Sequence, residues 1–232
     1  MNIAQLQSAL QRLGAYEGAI DGRYGSLTRA GILKALTDGP DFALTETDFR
    51  LAAEHFDGDV AKVKAVYYAE STGSPFIDGR PTILFEPHRF SRATGRRYDA
   101  SHPKISSRLW NKKLYPASQA GRWEQLLTAV GLDVDAGFAS ASYGGFQILG
   151  ENYAVCGAPS PWAFAWRQAQ TVADQLEAFV FFVKNTGLTK AFLQISGNPE
   201  TCRAFSKGYN GTGYELNNHH GRIAEEYRKA RL

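Results

Sequence analysis

The pattern of apolar positions predicts a mainly helical chain, and it is most informative over residues 63–73. Val63, Val66 and Tyr67 recur at helical spacing and form an apolar stripe on one face. Glu70 lies three and four residues after Tyr67 and Val66, so it falls on the same face at the last turn of the predicted helix. The pattern therefore places a carboxylate where a core-facing apolar residue is expected.

A carboxyl group at such a position has a specific chemical use. Partial burial disfavours the charged form of a carboxyl group, and this is how a glutamic acid becomes a proton donor near neutral pH. Glu70 is therefore a candidate general acid. The spacing alone is equally compatible with a glutamate that turns to solvent at a frayed helix end, so other parts of the chain have to decide.

Residues 1–38 predict a small unit of two helices joined by a turn-rich segment, residues 16–25. Ser26 is a suitable N-cap for the second helix, residues 27–36. Two short helices form only a marginal core, so we expect the unit to dock against the rest of the chain. The Asp-Gly-Pro-Asp sequence at residues 38–41 marks the boundary.

The β signal is confined to one region. Residues 76–77 and 81–86 have strand character and flank Asp78-Gly79, a dipeptide typical of hairpin turns. Residues 91–119 are polar, contain scattered glycines and prolines, and predict mainly loop. A loop of this length in a compact domain is usually functional or covers a site.

Beyond this segment the chain is predicted to be helical again. The predicted helices begin near Gly121, at Ala136 (continuing to Ser142), after a Thr171 cap, at Lys190, after an Asn198 cap and near Arg222. These elements together predict a mainly α fold with one β-hairpin.

Composition excludes several classes of function. The chain has 232 residues, of which 44% are hydrophobic and 21% charged, an ordinary balance for a globular protein. A net charge of +3 without a basic block gives no indication of nucleic-acid binding, although it fits an anionic polymer such as a bacterial wall. No apolar run reaches the roughly 18 residues of a membrane span, so stable membrane insertion is not expected. The first residues also lack the pattern of a secretory signal.

The cysteines and histidines give no sign of a metal or a redox centre. Cys156 and Cys202 lie in segments that look packed, which predicts two buried free thiols rather than a disulfide. The histidines are scattered without His-Glu-x-x-His spacing, which argues against a zinc hydrolase, and no cofactor is predicted. His88 is expected to orient Glu86 or to cap a turn.

Residues 142–147 and 209–211 both suit contact with a ligand. The paired glycines of the first motif allow a backbone to approach a ligand closely. The amide of Gln147 offers a donor and an acceptor, which suits a hydroxyl or an N-acetyl group of a sugar. Tyr209-Asn210-Gly211 follows a late helix. Each motif alone is also compatible with an ordinary turn or helix end.

The N-terminal unit resembles the helical peptidoglycan-binding repeat that is attached to many wall hydrolases. The resemblance is carried by Leu6-Gln7, Leu10, Leu13-Gly14, Tyr16, Gly18, Asp21-Gly22, Gly25, Thr28 and Ala30. It implies that residues 1–40 bind peptidoglycan, with Tyr16, Asp21 and Tyr24 as candidate wall-binding residues. The usual third helix is not evident, so a hairpin that only supports the larger domain remains an alternative.

The other motifs, taken in order, resemble the goose-type lysozyme and soluble lytic transglycosylase superfamily. They resemble more closely the N-acetylmuramidase family of modular phage and bacterial endolysins. The signatures are Glu70-Ser71-x-Gly73, Pro81-x-Ile83-Leu84-Phe85-Glu86-x-His88-x-Phe90, Ser140-Ala141-Ser142-Tyr143-Gly144-x-Phe146-Gln147-Ile148 and Tyr209-Asn210-Gly211. The resemblance implies a lysozyme-like α+β domain over residues 41–232 that cleaves the bond between N-acetylmuramic acid and N-acetylglucosamine, with Glu70 as general acid. The implied substrate-binding residues are Ser142, Tyr143, Gly145, Gln147, Tyr209 and Asn210.

Hydrolysis of a glycosidic bond ordinarily needs a second carboxylate. Asp78 in the hairpin turn and Glu86 at the end of the second strand are both candidates to lie across a cleft from Glu70. The sequence slightly favours Asp78 near the sugar and Glu86 as support. If neither reaches, a hydroxyl of the substrate itself can attack, as in a lytic transglycosylase. A wall-binding protein without catalytic activity is the remaining alternative.

The expected partner is the peptidoglycan glycan strand, bound by a monomer. Because no secretory signal is seen, we expect synthesis in the host cytoplasm and action on the wall in the periplasm. A phage holin pore fits this route, and a bacterial export machine is compatible with it.

Overall fold

The structure is a computed structural model that describes residues 1–37, 43–70 and 74–232. Within these residues the helices are α1 (Ile3–Arg12), α2 (Ser26–Ala35), α3 (Glu46–Glu54), α4 (Val60–Glu70), α5 (Pro87–Ala93), α6 (Gln119–Leu132), α7 (Val134–Ala139), α8 (Pro161–Gln168), α9 (Val172–Asn185), α10 (Thr189–Leu193), α11 (Pro199–Asn210) and α12 (His219–Ala230). The short strands are β1 (Phe76–Ile77), β2 (Arg80–Pro81), β3 (Ile83–Phe85), β4 (Ala141–Tyr143) and β5 (Ile148–Leu149). The predicted mainly α fold is confirmed. The predicted boundary at residues 38–41 lies outside the described residues, as do residues 71–73, which follow the helix predicted to have Glu70 in its last turn.

The N-terminal unit is organised around one buried amide. The side chain of Gln7, on α1, donates to the hydroxyl of Tyr16 at 3.1 Å and to Oδ1 of Asp21 at 2.9 Å. Its carbonyl oxygen accepts from the backbone N–H of Gly22 at 2.9 Å. A buried polar group is tolerated when its hydrogen bonds are made, so Gln7 fixes the turn between α1 and α2.

This unit docks on α6, as its small size predicts. The hydroxyl of Tyr24 donates to the backbone oxygen of Leu127 at 2.6 Å. The Tyr24 ring covers Gly131, where a Cβ atom would fall 2.6 Å from the ring. Arg29 on α2 forms an ion pair with Glu124 at 2.5 Å.

A second contact joins the N-terminal unit to the hairpin. A Cβ atom at Gly79 would lie 2.9 Å from the backbone oxygen of Thr37, so the hairpin turn and the end of α2 approach closely. The unit is therefore attached to the larger domain at two separate places.

The core of the larger domain lies beneath the C-terminal end of α4. This helix packs against α3 and α12, and Val63 and Val66 are fully buried. Tyr67 contacts the ring of Phe146 at 5.3 Å between centroids, and Phe146 stacks on Phe179 of α9 at 4.7 Å. The apolar stripe that precedes Glu70 thus packs on the aromatic core, as its spacing predicts.

The hairpin forms at Asp78-Gly79 as predicted, but its second strand is shorter than predicted. Strands β1 and β2 pair antiparallel, and the chain then enters a different sheet in which β3, β4 and β5 pair antiparallel in that order. Ile83 lies opposite Tyr143 in this sheet. Residues 141–143 are therefore a strand, and the predicted helix over residues 136–142 is wrong in its last turn, because the helix ends at Ala139.

Two helices were missed from the sequence, and each begins with proline. The predicted loop over residues 91–119 includes the end of α5, in which Pro87 occupies the first turn instead of only ending the strand. Helix α8 has Ser160 as its N-cap, with the side chain accepting from Ala163 N–H, and Pro161 follows it. A Ser-Pro pair of this kind is a helix start signal, so α8 could have been found.

Both cysteines are buried and free, which confirms the prediction of two unpaired thiols. Burial raises the pKa of the Cys156 thiol to about 12. Within the described ranges, no helix is long and apolar enough to span a bilayer.

Candidate active site

Glu70 occupies the last position of α4, and its side chain is 11% exposed. The interpretation of a carboxylate turned out to solvent is therefore wrong. The buried stripe of α4 places the carboxyl group at the edge of the core, where it is largely shielded from water but still reachable.

The carboxylate contacts a histidine that sequence reasoning did not select. Oε1 of Glu70 is in hydrogen-bond contact with Nε2 of His219, the first residue of α12. His219 is fully buried, and its Nδ1 has no hydrogen-bond partner among the described residues. The chain offers only a weak local signal, a His-His pair after two asparagines, because the contact spans 149 positions.

Tyr209 connects this pair to the glycine-rich turn. Its ring lies parallel to the His219 ring, with centroids 6.4 Å apart and an angle of 6°. Its hydroxyl donates to the backbone oxygen of Phe146 at 2.7 Å. Burial raises the pKa of Tyr209, and the nearby charge of Glu70 raises it further, so the phenol stays protonated as a donor. The structure thus brings all three predicted motifs together.

The glycine-rich turn is fixed by Gln175 of α9. Oε1 of Gln175 accepts from the Gly145 N–H at 2.7 Å. Gly144 has φ +69°, and a Cβ atom there would lie 2.2 Å from the Gln175 carboxamide, so only glycine fits. The turn therefore needs both its left-handed backbone and its missing side chain.

Gln147 ends the turn in a left-handed conformation, with φ 47°. Its Nε2 donates to the backbone oxygen of Gly144 at 2.7 Å, and its Oε1 accepts from the hydroxyl of Ser142 at 2.9 Å. The amide is preorganised beside the outward face of β3, since Ser142 lies opposite Leu84. Its role in substrate binding, like that of Ser142 and Gly145, stays a prediction.

Two residues of the predicted binding set have contrasting positions. Tyr143 is fully buried, its hydroxyl donates to the backbone oxygen of Phe138 at 2.9 Å, and burial raises its pKa strongly. The prediction that its side chain binds substrate is wrong, because the ring has no exposed surface. Asn210 is exposed at the end of α11, next to Gly211 with φ 76°, and stays a prediction.

The two candidate second carboxylates occupy different environments. Asp78 is exposed in the hairpin turn with φ 54°, beside the contact with the N-terminal unit. Glu86 is 18% exposed, and it accepts a hydrogen bond from the hydroxyl of Tyr115. Burial raises the pKa of Glu86, although the Tyr115 hydrogen bond and the charge of Arg89 oppose this. His88 Nδ1 lies 3.2 Å from Glu86 Oε2 but makes no hydrogen bond among the described residues, so its orienting role stays a prediction.

The three candidate wall-binding side chains all make hydrogen bonds within the protein, although Asp21 is exposed. Tyr16 is buried and its hydroxyl donates to the backbone oxygen of Ala19 at 2.7 Å, while Tyr24 holds the contact with α6. Asp21 accepts from the Arg23 N–H and from Gln7, and these hydrogen bonds lower its pKa. The hydroxyls of Tyr16 and Tyr24 are thus used in internal hydrogen bonds, and wall binding by Tyr16, Asp21 and Tyr24 stays a prediction.

Comparison with known proteins gives one family and one solved structure. The N-acetylmuramidase family model matches residues 59–231. The crystal structure of the Burkholderia AP3 phage endolysin is similar, with 28% sequence identity and a TM-score of 0.72 over 99% of this chain and 94% of that chain. No curated protein matches significantly. Since the family match covers well over half of the sequence and contains Glu70, His219 and both other motifs, this chain belongs to the N-acetylmuramidase family of glycoside hydrolases.

Proposed function

We propose that the protein is an endolysin that cleaves the β-1,4 bond between N-acetylmuramic acid and N-acetylglucosamine in peptidoglycan, with Glu70 as general acid. The observation that carries this assignment is the position of Glu70. Its carboxyl group is almost buried, contacts His219, and lies where the glycine-rich turn and the end of α11 meet. Proton donation to the leaving oxygen is typically worth 10²- to 10⁴-fold in rate.

His219 acts as a positioning residue for this acid. A neutral imidazole carries one proton, and Nδ1 has no acceptor among the described residues. A buried N–H without an acceptor is rarer than an unused acceptor, so the proton belongs on Nε2, which donates to Oε1 of Glu70. Oε2 is then the oxygen that carries the catalytic proton. As that proton leaves, the His219 hydrogen bond strengthens, because its acceptor becomes charged.

Of the two other carboxylates, Asp78 is the better candidate for a direct role in hydrolysis. Its side chain is exposed, whereas Glu86 is engaged with Tyr115. We assign Glu86 to support of the cleft wall. If Asp78 does not act, the substrate's own hydroxyl can attack, and the products then carry 1,6-anhydro ends instead of reducing ends.

The acid is tested with Glu70→Gln, assayed by clearing of permeabilised Gram-negative cells. We expect a loss of roughly 10²- to 10⁴-fold. Glu54→Gln, on the exposed side of α3, is the matched control. Equal clearing by wild type and Glu70→Gln would reject the assignment. Mass spectrometry of the released muropeptides, with wild type and Asp78→Asn, separates hydrolysis from transglycosylation.

The N-terminal unit is proposed to hold peptidoglycan through a surface that includes Tyr16, but neither Asp21 nor Tyr24, of the expected residues. A groove of about 360 Å³ lies along α2, lined in part by Gly18, Leu27, Gly31 and Lys34. These α2 positions lie on the opposite side of the helix from Arg29, which faces α6. The groove is thus open while the docking side is covered.

This binding role is tested by co-sedimentation with purified sacculi. Leu27→Ala should weaken pelleting without changing the cleavage of a soluble fragment. Leu51→Ala is the control, at a leucine on α3 that is 53% exposed against 65% for Leu27. Unchanged pelleting of Leu27→Ala would reject the groove. The proposed enzyme acts as a monomer on the wall in the periplasm.

A further inference from the structure

The segment between Asp99 and Glu124 has an unusual charge distribution. It contains no acidic residue, in a chain whose acidic and basic residues are otherwise nearly balanced. Its cations are Lys104, Arg108, Lys112, Lys113 and Arg122. Such a stretch presents a positive surface that attracts anionic groups over a range of about 8–10 Å at ordinary salt concentrations.

Two large apolar side chains within this segment are mostly exposed to solvent. Leu109 is 73% exposed and Trp110 is 62% exposed. The backbone beneath them is held in place: the hydroxyl of Ser107 donates to the Leu109 oxygen at 2.9 Å, and Asn111 caps the following turn. An exposed apolar pair on an ordered backbone, among cations, marks an interaction site.

The patch is continuous with the proposed catalytic cleft. The Trp110 ring lies 6.1 Å from the Tyr115 ring, and the Tyr115 hydroxyl donates to Glu86. Burial alternates along residues 81–88, so Thr82, Leu84 and Glu86 form one partly open face. Gln147 adjoins the Thr82 end of this face, donating to the Thr82 oxygen at 3.4 Å.

This face gives the patch a direction and a distance from the Gln147 amide. Four residues of extended strand span about 13 Å from Thr82 to Glu86. The patch therefore lies beyond Glu86 on the side away from Gln147, and a polymer that crosses the Gln147 amide along this face reaches Trp110.

We propose that Leu109, Trp110, Lys112 and Lys113 form a distal subsite for the peptidoglycan strand, and this proposal rests on the function proposed above. The apolar face of a sugar ring packs on Trp110, and the lysines pair with carboxylates of the stem peptides. A polymer of sugars with pendant carboxylates uses the aromatic ring, the cations and the continuity with the cleft together. An anionic lipid surface would use only the first two.

The test compares a polymeric with a short substrate. Trp110→Ala should raise KM on intact sacculi and lower kcat/KM by roughly tenfold, about the value of one aromatic contact. Cleavage of a soluble fragment of two disaccharide units should be unchanged. Glu70→Gln should lose activity on both substrates, so failure of the catalytic assignment is seen separately from failure of the subsite.

The charge contribution is tested with Lys112→Glu/Lys113→Glu. The matched control is Lys184→Glu/Lys190→Glu, which makes the same change in net charge at two exposed lysines elsewhere. Only Lys112→Glu/Lys113→Glu should lower kcat/KM on sacculi. Equal effects of the two pairs, or wild-type kinetics of Trp110→Ala on sacculi, would overturn the proposal. The proposal would also be overturned if Lys112→Glu/Lys113→Glu lost binding to phosphatidylglycerol vesicles while its kinetics on sacculi were unchanged, since the patch would then bind lipid.

Discussion

Nε2 of His219 is in hydrogen-bond contact with Oε1 of Glu70, and this contact joins the first residue of α12 to the last residue of α4. The carboxyl group thus has one oxygen held by a buried ring and one that is available for chemistry. The ring is in turn stacked on Tyr209, which is bonded to the glycine-rich turn. The geometry of the acid therefore depends on three segments distant in sequence.

Replacement of His219 should affect catalysis more than binding. In His219→Leu the carboxyl group loses its donor, and we expect kcat to fall about 10- to 100-fold with little change in KM, because the acid is no longer held in line. His219→Gln keeps an N–H donor and should retain more activity.

The neighbouring His220 provides the control for these variants. His220→Gln makes the same substitution one residue later, on a ring that contacts Tyr214 and not Glu70. Its activity should match wild type. A His219→Leu protein whose KM changes as much as its kcat, or a His219→Gln protein as inactive as His219→Leu, would show that His219 has a purely structural role.

The attachment of the N-terminal unit should depend measurably on one hydroxyl. Tyr24→Phe removes the hydrogen bond to the Leu127 oxygen, and we expect a loss of about 1 kcal/mol in the free energy of unfolding. For a chain of this size the loss corresponds to about 2–4 °C in Tm. Tyr68→Phe, at a half-exposed tyrosine on α4, should leave Tm unchanged. A Tyr24→Phe protein with wild-type Tm would indicate that the contact contributes nothing to stability.

The buried carboxylate of Glu86 should give the folded protein a specific pH dependence. Burial raises the pKa of Glu86 above its ordinary value of 4.5, so the unfolded chain releases this proton more readily than the native state. Native stability contributed by this group is therefore present at low pH and is lost as pH rises through the raised pKa. Glu86→Gln does not ionise, so its stability relative to wild type should improve from acid to neutral pH.

Denaturant unfolding at several pH values measures this difference, with Glu54→Gln as the exposed control. The glutamine carbonyl oxygen still accepts from Tyr115, and a weaker hydrogen bond there adds an offset that does not change the direction of the slope. A difference between Glu86→Gln and wild type that is constant with pH would contradict the prediction.

The glycine-rich turn should tolerate no side chain at Gly144. Gly144→Ala places a methyl group against Gln175 and also forces alanine to a positive φ, so we expect a loss of about 1–2 kcal/mol from the backbone and a further 1–3 kcal/mol from overpacking. Gly14→Ala has a similar φ, +66°, with open space around it, and isolates the backbone part. Thermal unfolding measures the loss of stability in both variants. Equal losses in Gly144→Ala and Gly14→Ala would show that Gln175 moves aside without cost in free energy.

The sequence predicted the features that depend on local chemistry. The helix ending at Glu70 and the hairpin turn at Asp78-Gly79 both follow from residues within a few positions of one another, and both are present. The pairing of β3 with β4 was missed because it joins segments almost 60 residues apart, and a three-residue strand has too short a pattern to be distinguished from a helix end.

The residues of the candidate site also divide into those that a local motif identifies and those that become neighbours only on folding. Glu70, Gln147 and Tyr209 were identifiable because each lies in a motif, and the structure brings their segments together. His219 was not, because its importance comes from a contact made only after folding, and a single buried histidine has no sequence pattern. Tyr143 was wrongly chosen because all three residues of β4 are buried, and so short a strand has no pattern that separates a core side chain from one that faces a ligand.

The double attachment of the N-terminal unit has a consequence for protein engineering. Tyr24 lies in the loop that resembles a wall-binding repeat, and its ring covers Gly131 of α6. Thr37 contacts the hairpin at Gly79, next to Asp78. Truncation before residue 41 would uncover both places at once, so a truncated chain would mix lost wall affinity with a damaged catalytic half. Swapping this repeat between enzymes therefore calls for transplanting α6 and the hairpin tip with it.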